Sequence, residues 1–113
     1  MTARAIVCML GALALASCRP REAGPPVATN RVTLPPSYRF APPSITVAVG
    51  TKVTWVNSDH FTHAIRLLDD GGAVLKMRPG DSVAFVFLRP GVRRYDCSVH
   101  PHDMRGTVVV TAP

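Results

Sequence analysis

Tyr95–Asp96–Cys97–Ser98–Val99–His100–Pro101–His102–Asp103–Met104–Arg105–Gly106 places one cysteine, two histidines and one methionine within eight residues. A strand-like run, residues 107–111, follows at once, and residues 92–95 lead in as another. The donors therefore sit where one strand hands over to the next. Upstream the same texture repeats. Ile45, Val47 and Val49 alternate with smaller or polar residues, the period of a half-buried strand. Residues 52–57 follow the Gly50–Thr51 turn, with Val53 and Trp55 on one face. Trp55 reads as a core residue whose indole N–H needs a partner.

His63, Ile65 and Leu67 share a face of the next run, after a loop over residues 57–62. Asp69–Asp70–Gly71–Gly72 is a turn, residues 73–77 a short strand, and Arg78–Pro79–Gly80–Asp81 a second turn. Residues 82–88 are almost wholly apolar, and their β-branched and aromatic members favour strand over helix. Pro42 and Pro43 belong before the ladder of the 44–49 strand or at an edge. No segment has helical periodicity. The fold class is all-β, a sandwich of about seven to eight short strands.

The chain has 113 residues, enough for one domain. Its first 17 residues read as a signal peptide: Arg4, then an apolar run too short to span a bilayer comfortably. Leu15–Ala16–Ser17–Cys18 resembles a lipoprotein cleavage box, which makes Cys18 the lipidated first residue of the mature chain. An ordinary cleavage site with a chance cysteine and an uncleaved anchor are the two other readings. All three place the fold outside the cytoplasm, in the periplasm or on the outer face of a cell-envelope membrane. Residues 18–30, rich in proline and alanine, read as a tether, and residues 31–113 as the domain.

The formal charge of +6 comes from 13 Lys and Arg against 7 Asp and Glu. The bases are dispersed, with no run longer than Arg93–Arg94 and no interleaved aromatics of the kind that stack on nucleobases. Nucleic acid is thereby disfavoured. An acidic protein partner or an anionic membrane surface suits the charge better. Arg93, Arg94 and Arg105 are the candidates for steering such a partner, against the alternative that they are solvated surface.

Of the three cysteines, Cys8 lies in the leader and Cys18 at its end, so Cys97 is the only one in the domain. No intradomain disulfide is available, and a lone cysteine in an exported domain is a liability or a ligand. Taken singly, Cys97 reads as a small buried hydrophobe, Met104 as core filler and His63 as a hydrogen-bonded polar residue. Taken together, Cys97, His100 and Met104 with His63 supply thiolate, imidazole and thioether, the soft and borderline donors that suit copper. Zinc is the rival, but structural zinc sites use more cysteines and methionine is a poor zinc ligand. The donor set is that of one type 1 copper per chain.

The ordered pattern over residues 38–111 resembles the cupredoxins, close to the plastocyanin and amicyanin group. It runs through Phe40–Ala41–Pro42, Gly50–Thr51–Lys52–Val53–Thr54–Trp55–Val56–Asn57, Asp59 and His63, then Pro90–Gly91, Tyr95–Asp96–Cys97–Ser98–Val99–His100 and Met104–Arg105–Gly106–Thr107–Val108–Val109–Val110. The resemblance implies a Greek-key β-sandwich. It makes His63 and His100 the imidazole ligands, Cys97 the thiolate and Met104 the weak axial thioether. It further implies that Asn57 ties the upstream loop and that backbone N–H groups point at the Cys97 sulfur.

Several positions depart from the family pattern. Ala64 stands where an asparagine often follows the first histidine, removing a side-chain link between the two donor loops. Val99 replaces a common proline, Asp96 a common aromatic, and the step from His100 to Met104 is four residues. His102 competes with His100 as a ligand, but the Cys-x-x-His spacing favours His100. His60 and His102 are expected to flank a common rim around the metal.

Apart from the donors, no acid/base or nucleophile set is present, so an enzyme is not expected. The resemblance implies electron transfer between redox proteins, a cytochrome or a copper enzyme, through weak transient docking of a monomer. The alternative is copper binding, storage or delivery in the cell envelope.

Overall fold

The computed structural model describes residues 24–113, so the leader and Cys18 lie outside the described residues. Nine strands form: β1 (Val27–Ala28), β2 (Arg31–Leu34), β3 (Ser44–Ala48), β4 (Lys52–Asn57), β5 (His63–Leu67), β6 (Val74–Met77), β7 (Ser82–Val86), β8 (Gly91–Cys97) and β9 (Arg105–Thr111). There is no helix among the described residues. One sheet has the order β1-β3-β9-β8-β5-β6, the other β2-β4-β7.

Alternation sorts the side chains between the layers. In β4, Val53, Trp55 and Asn57 are buried while Thr54 and Val56 are only partly so. Val32 and Leu34 of β2, Ile45 and Val47 of β3, Ile65 and Leu67 of β5, and Val108 and Val110 of β9 complete the sandwich interior. Each such aliphatic side chain contributes about 1.5–3 kcal/mol when fully buried. Aromatic rings fill the centre. Tyr95 meets Trp55 edge-on at 5.3 Å and Phe40 at 4.8 Å between ring centroids. Trp55 is buried as expected, but neither its Nε1 nor the Tyr95 hydroxyl has a hydrogen-bond partner among the described residues.

β3 to β9 occupy the runs read from the sequence, and β1 and β2 are additional. β2 pairs in parallel with β4, from Arg31↔Thr54 to Leu34↔Asn57. It is four residues long and ends at Pro35, too short for alternation to register. β1 lies within the proline- and alanine-rich stretch and pairs in parallel with β3 through Val27↔Ile45 and Ala28↔Thr46. Backbone pairing alone holds it, since both residues are exposed. Pro42 and Pro43 precede β3, and the Pro43 carbonyl accepts from Thr107 N–H at 2.9 Å.

This order puts the donor-bearing segments side by side. β9, β8 and β5 are adjacent, with β8 antiparallel to both neighbours. His63 opens β5, Cys97 closes β8, and Met104 immediately precedes β9. All three therefore meet at one end of the same sheet.

Candidate metal centre

Cys97 is fully buried, and its sulfur points toward the start of β5. The neighbouring register pair is Ile65↔Cys97. The Ala64 N–H donates to Cys97 Sγ at 3.5 Å, the backbone donor expected at the sulfur. His63 is also fully buried, and its Nδ1 lies 3.8 Å from Cys97 Sγ. Ser98 N–H donates to the Ala64 carbonyl at 3.0 Å and fastens the two segments just beyond the sulfur.

The other face of the His63 ring is taken. Its Nε2 lies 2.8 Å from Asp59 Oδ2, and Asp59 is itself buried. This hydrogen bond holds the Asp59 carboxyl below its ordinary pKa against the opposing pull of burial. An ionised Asp59 accepts the Nε2 proton, which leaves the Nδ1 lone pair facing the cysteine sulfur. Asp59 is held in turn. Asn57 Oδ1 accepts from Asp59 N–H at 3.0 Å, and Asp59 Oδ1 accepts from His60 N–H at 2.7 Å. Asn57 Nδ2 donates to the carbonyls of Phe61 and Met77, at 2.8 and 3.2 Å. Asn57 thus ties the upstream loop to β6, whose Met77 is the register partner of His63.

The downstream loop is two turns closed by a ladder bond. His100 N–H donates to the Cys97 carbonyl at 3.2 Å, while Asp103 and Met104 N–H both reach the His100 carbonyl, at 3.2 and 3.0 Å. Cys97 N–H donates to the Met104 carbonyl at 3.1 Å. The four-residue step from His100 to Met104 is absorbed by the second turn. Met104 is fully buried and His100 half-buried. The His100 ring lies 6.1 Å from that of His63, centroid to centroid. Among the described residues no three His, Cys, Asp or Glu side chains converge on one point. His63 and Cys97 are in mutual reach, and His100 and Met104 flank them from the loop.

Matching these features to known sequences, the family model of copper-binding proteins, plastocyanin/azurin family, covers residues 36–111. The chain belongs to that family. It is 34% identical over 77 residues to amicyanin of Paracoccus denitrificans, covering 64% of this chain and 58% of that protein. The chain thus spans less than two thirds of that relative's length. Plastocyanin of Scenedesmus fuscus is 34% identical over 83 residues, covering 63% of this chain and 85% of that protein. Among solved structures, a purple cupredoxin from Nitrosopumilus maritimus superposes with a TM-score of 0.63 at 31% identity, covering 72% of this chain and 98% of that one. The cofactor of this cupredoxin is one type 1 copper.

The residues fit that group. A thiolate, two imidazoles and a thioether are the donor types that suit copper. His63 Nδ1 and Cys97 Sγ, 3.8 Å apart and both buried, are close enough to share one ion.

Two residues of the site carry no role in the sequence pattern. Asp59 is one: it stands in the family pattern, and its place four residues before the candidate donor His63 on a short loop is the signal for a partner of that ring. The other is Tyr38, which meets the His100 ring edge-on at 4.7 Å and stacks on Phe61 at 6.1 Å. Tyr38, Phe61 and Val99 are 41%, 56% and 53% exposed, so they form an apolar rim beside the His100 edge.

The basic residues divide. Arg93 grips Asp70 through Nε and Nη2, at 3.2 and 2.7 Å, and is largely buried. Arg94 grips Asp69 at 3.0 and 2.9 Å. Both bolt the β5–β6 turn to β8 rather than standing free. Arg105 is exposed and donates to the Pro101 carbonyl at 3.2 Å, with no ion pair among the described residues. His60 and His102 are both exposed, and His102 lines a groove beside Arg66 and Arg105.

Proposed function

We propose that this protein is an electron carrier in which His63, Cys97, His100 and Met104 hold the copper. The observation that carries the reading is the His63 ring, clamped on one side by Asp59 and presenting Nδ1 to the Cys97 sulfur at 3.8 Å. When bound, copper supplies a one-electron step between Cu(I) and Cu(II). The protein's part is to hold the donors still. His63, Cys97 and Met104 are fully buried, so water is kept from the inner side of the site. The β5–β6 ladder fixes His63, the β5–β8 ladder fixes Cys97, and the Cys97 N–H bond to the Met104 carbonyl holds Met104; rigid donors change little when charge changes. The Ala64 N–H on the sulfur stabilises thiolate charge and raises the reduction potential. With all four donor positions taken, no place is left for a substrate, which argues against an enzyme.

His100 is the half-buried donor residue, and the Tyr38–Phe61–Val99 rim surrounds its edge. Electrons would leave there into a redox partner, a cytochrome or a copper enzyme, docked over a small apolar contact. The leader over residues 1–17 supports export, and Cys18 with the following tether supports attachment to the outer face of an envelope membrane.

The test is the absorption spectrum of copper-loaded protein beside Cys97→Ser. An intense visible charge-transfer band, lost in the variant, and reversible one-electron cycling support the carrier. A colourless wild type overturns it, and ready metal release without the band points to copper delivery instead.

A further inference from the structure

The position before Cys97 holds an aspartate, and the structure shows what it meets. Arg66 Nε donates to Asp96 Oδ1 at 2.9 Å and Nη2 to Asp96 Oδ2 at 2.6 Å, a two-pronged pair between neighbouring strands. The Asp96 side chain is 8% exposed and the Arg66 side chain 37%. Arg66↔Asp96 is the register pair directly beside Ile65↔Cys97. Arg66 stands three residues after His63, and Asp96 one before Cys97. The pair thus joins the two strands that carry the closest donors, one step from the sulfur. Asp96 is also the register partner of Arg105, which follows Met104 and reaches back to the Pro101 carbonyl. A basic–acidic–basic row crosses β5, β8 and β9, one member beside each donor-bearing strand end.

At position 64 the alanine offers no side chain to link the donor loops, so only its backbone joins them there, through Ala64 N–H to Cys97 Sγ and Ser98 N–H to the Ala64 carbonyl. We infer that Arg66 and Asp96 are positioning residues for the metal site, supplying, two residues along the same face of β5, the side-chain link that Ala64 does not make. This rests on the ligand reading above. A planar guanidinium fork fixes both distance and orientation of the carboxylate, which a point-charge ammonium does not. The fork sets the separation of β5 and β8 where His63 Nδ1 and Cys97 Sγ must share a metal.

The experiment compares Arg66→Lys, Asp96→Asn and the apolar double variant Arg66→Leu/Asp96→Leu with wild type. Arg66→Lys keeps the charge and loses the fork, which separates geometry from a through-space charge effect. The double variant replaces the pair by an apolar cross-strand contact, so folding survives without the fork. The expected result is an altered intensity ratio of the copper charge-transfer bands in all three, with copper affinity down by about tenfold or more. In the copper-free proteins, Ala64 and Ser98 amide exchange should speed by about tenfold, while amides of the remote β4–β7 ladder stay unchanged. Wild-type bands in every variant, with unchanged exchange at Ala64 and Ser98, overturn the clamp and leave the ligand reading standing. A wild type without the band overturns the ligand reading and the clamp with it.

Discussion

Asp59 and His63 share a buried hydrogen bond of 2.8 Å, and that bond decides which ring nitrogen of His63 turns its lone pair toward Cys97 Sγ. Carboxylate partners of ligand histidines typically account for 10–100-fold in metal affinity. Asp59→Ala should therefore bind copper about 10–100-fold more weakly. Asp59→Asn keeps an oxygen for Nε2–H and should recover most of the affinity. Both variants lose a negative charge near the metal, which favours Cu(I), so both should show a raised reduction potential. Competition titration with a chelator and voltammetry read the two effects separately. Equal affinity in Asp59→Ala and wild type would remove Asp59 from the site.

Tyr95 and Gly106 face each other across the β8–β9 ladder, and the phenol ring lies where a side chain on Gly106 would stand. A Cβ at residue 106 would collide with the Cζ, Oη and Cε2 atoms of Tyr95. The ring cannot swing away freely, because Phe40 and Trp55 pack against it edge-on. Gly106→Ala should cost about 1–3 kcal/mol by overpacking, measured by denaturant unfolding of the copper-free protein. Since Tyr95 lies two residues before Cys97, the variant should also shift the visible band. A stability within error of wild type would mean the ring has room that the structure does not show.

Most of the fold was legible because the strands are short, alternating and punctuated by glycine and proline. Ile45 and Val47, Val53 and Trp55, and Ile65 and Leu67 all point inward as their spacing requires. β2 was not legible, since Val32 and Leu34 are only two apolar positions in a four-residue run. The donors stood out by chemistry, three of them on one loop. Of the groups around them, Asn57 and the backbone N–H at the Cys97 sulfur follow from the family resemblance, whereas the long-range partners do not. Asp96 meets Arg66 thirty residues away in the sequence, and only the β5–β8 register brings them together. Tyr38 reaches His100 from before β3, a meeting that no periodicity encodes. The roles of Arg93 and Arg94 depended in the same way on the turn folding back toward β8.

His102 lies in the exposed part of the second turn, whereas His100 is held against Tyr38. His102→Ala should leave the visible spectrum and potential unchanged. His100→Ala should abolish or strongly shift the band. The opposite pattern would exchange the two histidines as ligands.

Asp69 accepts from the Arg94 N–H, Nε and Nη2 groups at 2.8, 3.0 and 2.9 Å. The Arg94 side-chain hydrogen bonds push its pKa down from 3.8 to about 2. A carboxyl that titrates lower in the folded than in the unfolded chain stabilises the fold fully above its unfolded pKa. That contribution is lost as pH falls from about 4 towards 2. Asp69→Asn should make the copper-free protein less stable at neutral pH and flatten this part of its acid limb. Unfolding midpoints at stepped pH values check it; parallel acid limbs would show that the Arg94 pair does not stabilise the fold.

The Tyr38 and Phe61 rings stack with an interplanar angle of 19°, and Tyr38 leans edge-on against His100. Phe61 is exposed and donates no group to the His63 clamp except its backbone carbonyl, which accepts from Asn57. A charge placed there should leave the donors alone and alter only what docks against them. Phe61→Lys should therefore keep the absorption band and potential of wild type. Electron self-exchange between two copies brings two such rims together, so the new lysines would meet like charge across the contact. The self-exchange rate at low salt should fall by about tenfold or more. Salt should restore much of it, because exposed charges are screened over about 10 Å at 0.1 M. NMR line broadening in mixtures of the oxidised and reduced protein gives the rate. A loss that salt does not relieve would point to a packing defect, and an unchanged rate would move the docking face away from the His100 edge.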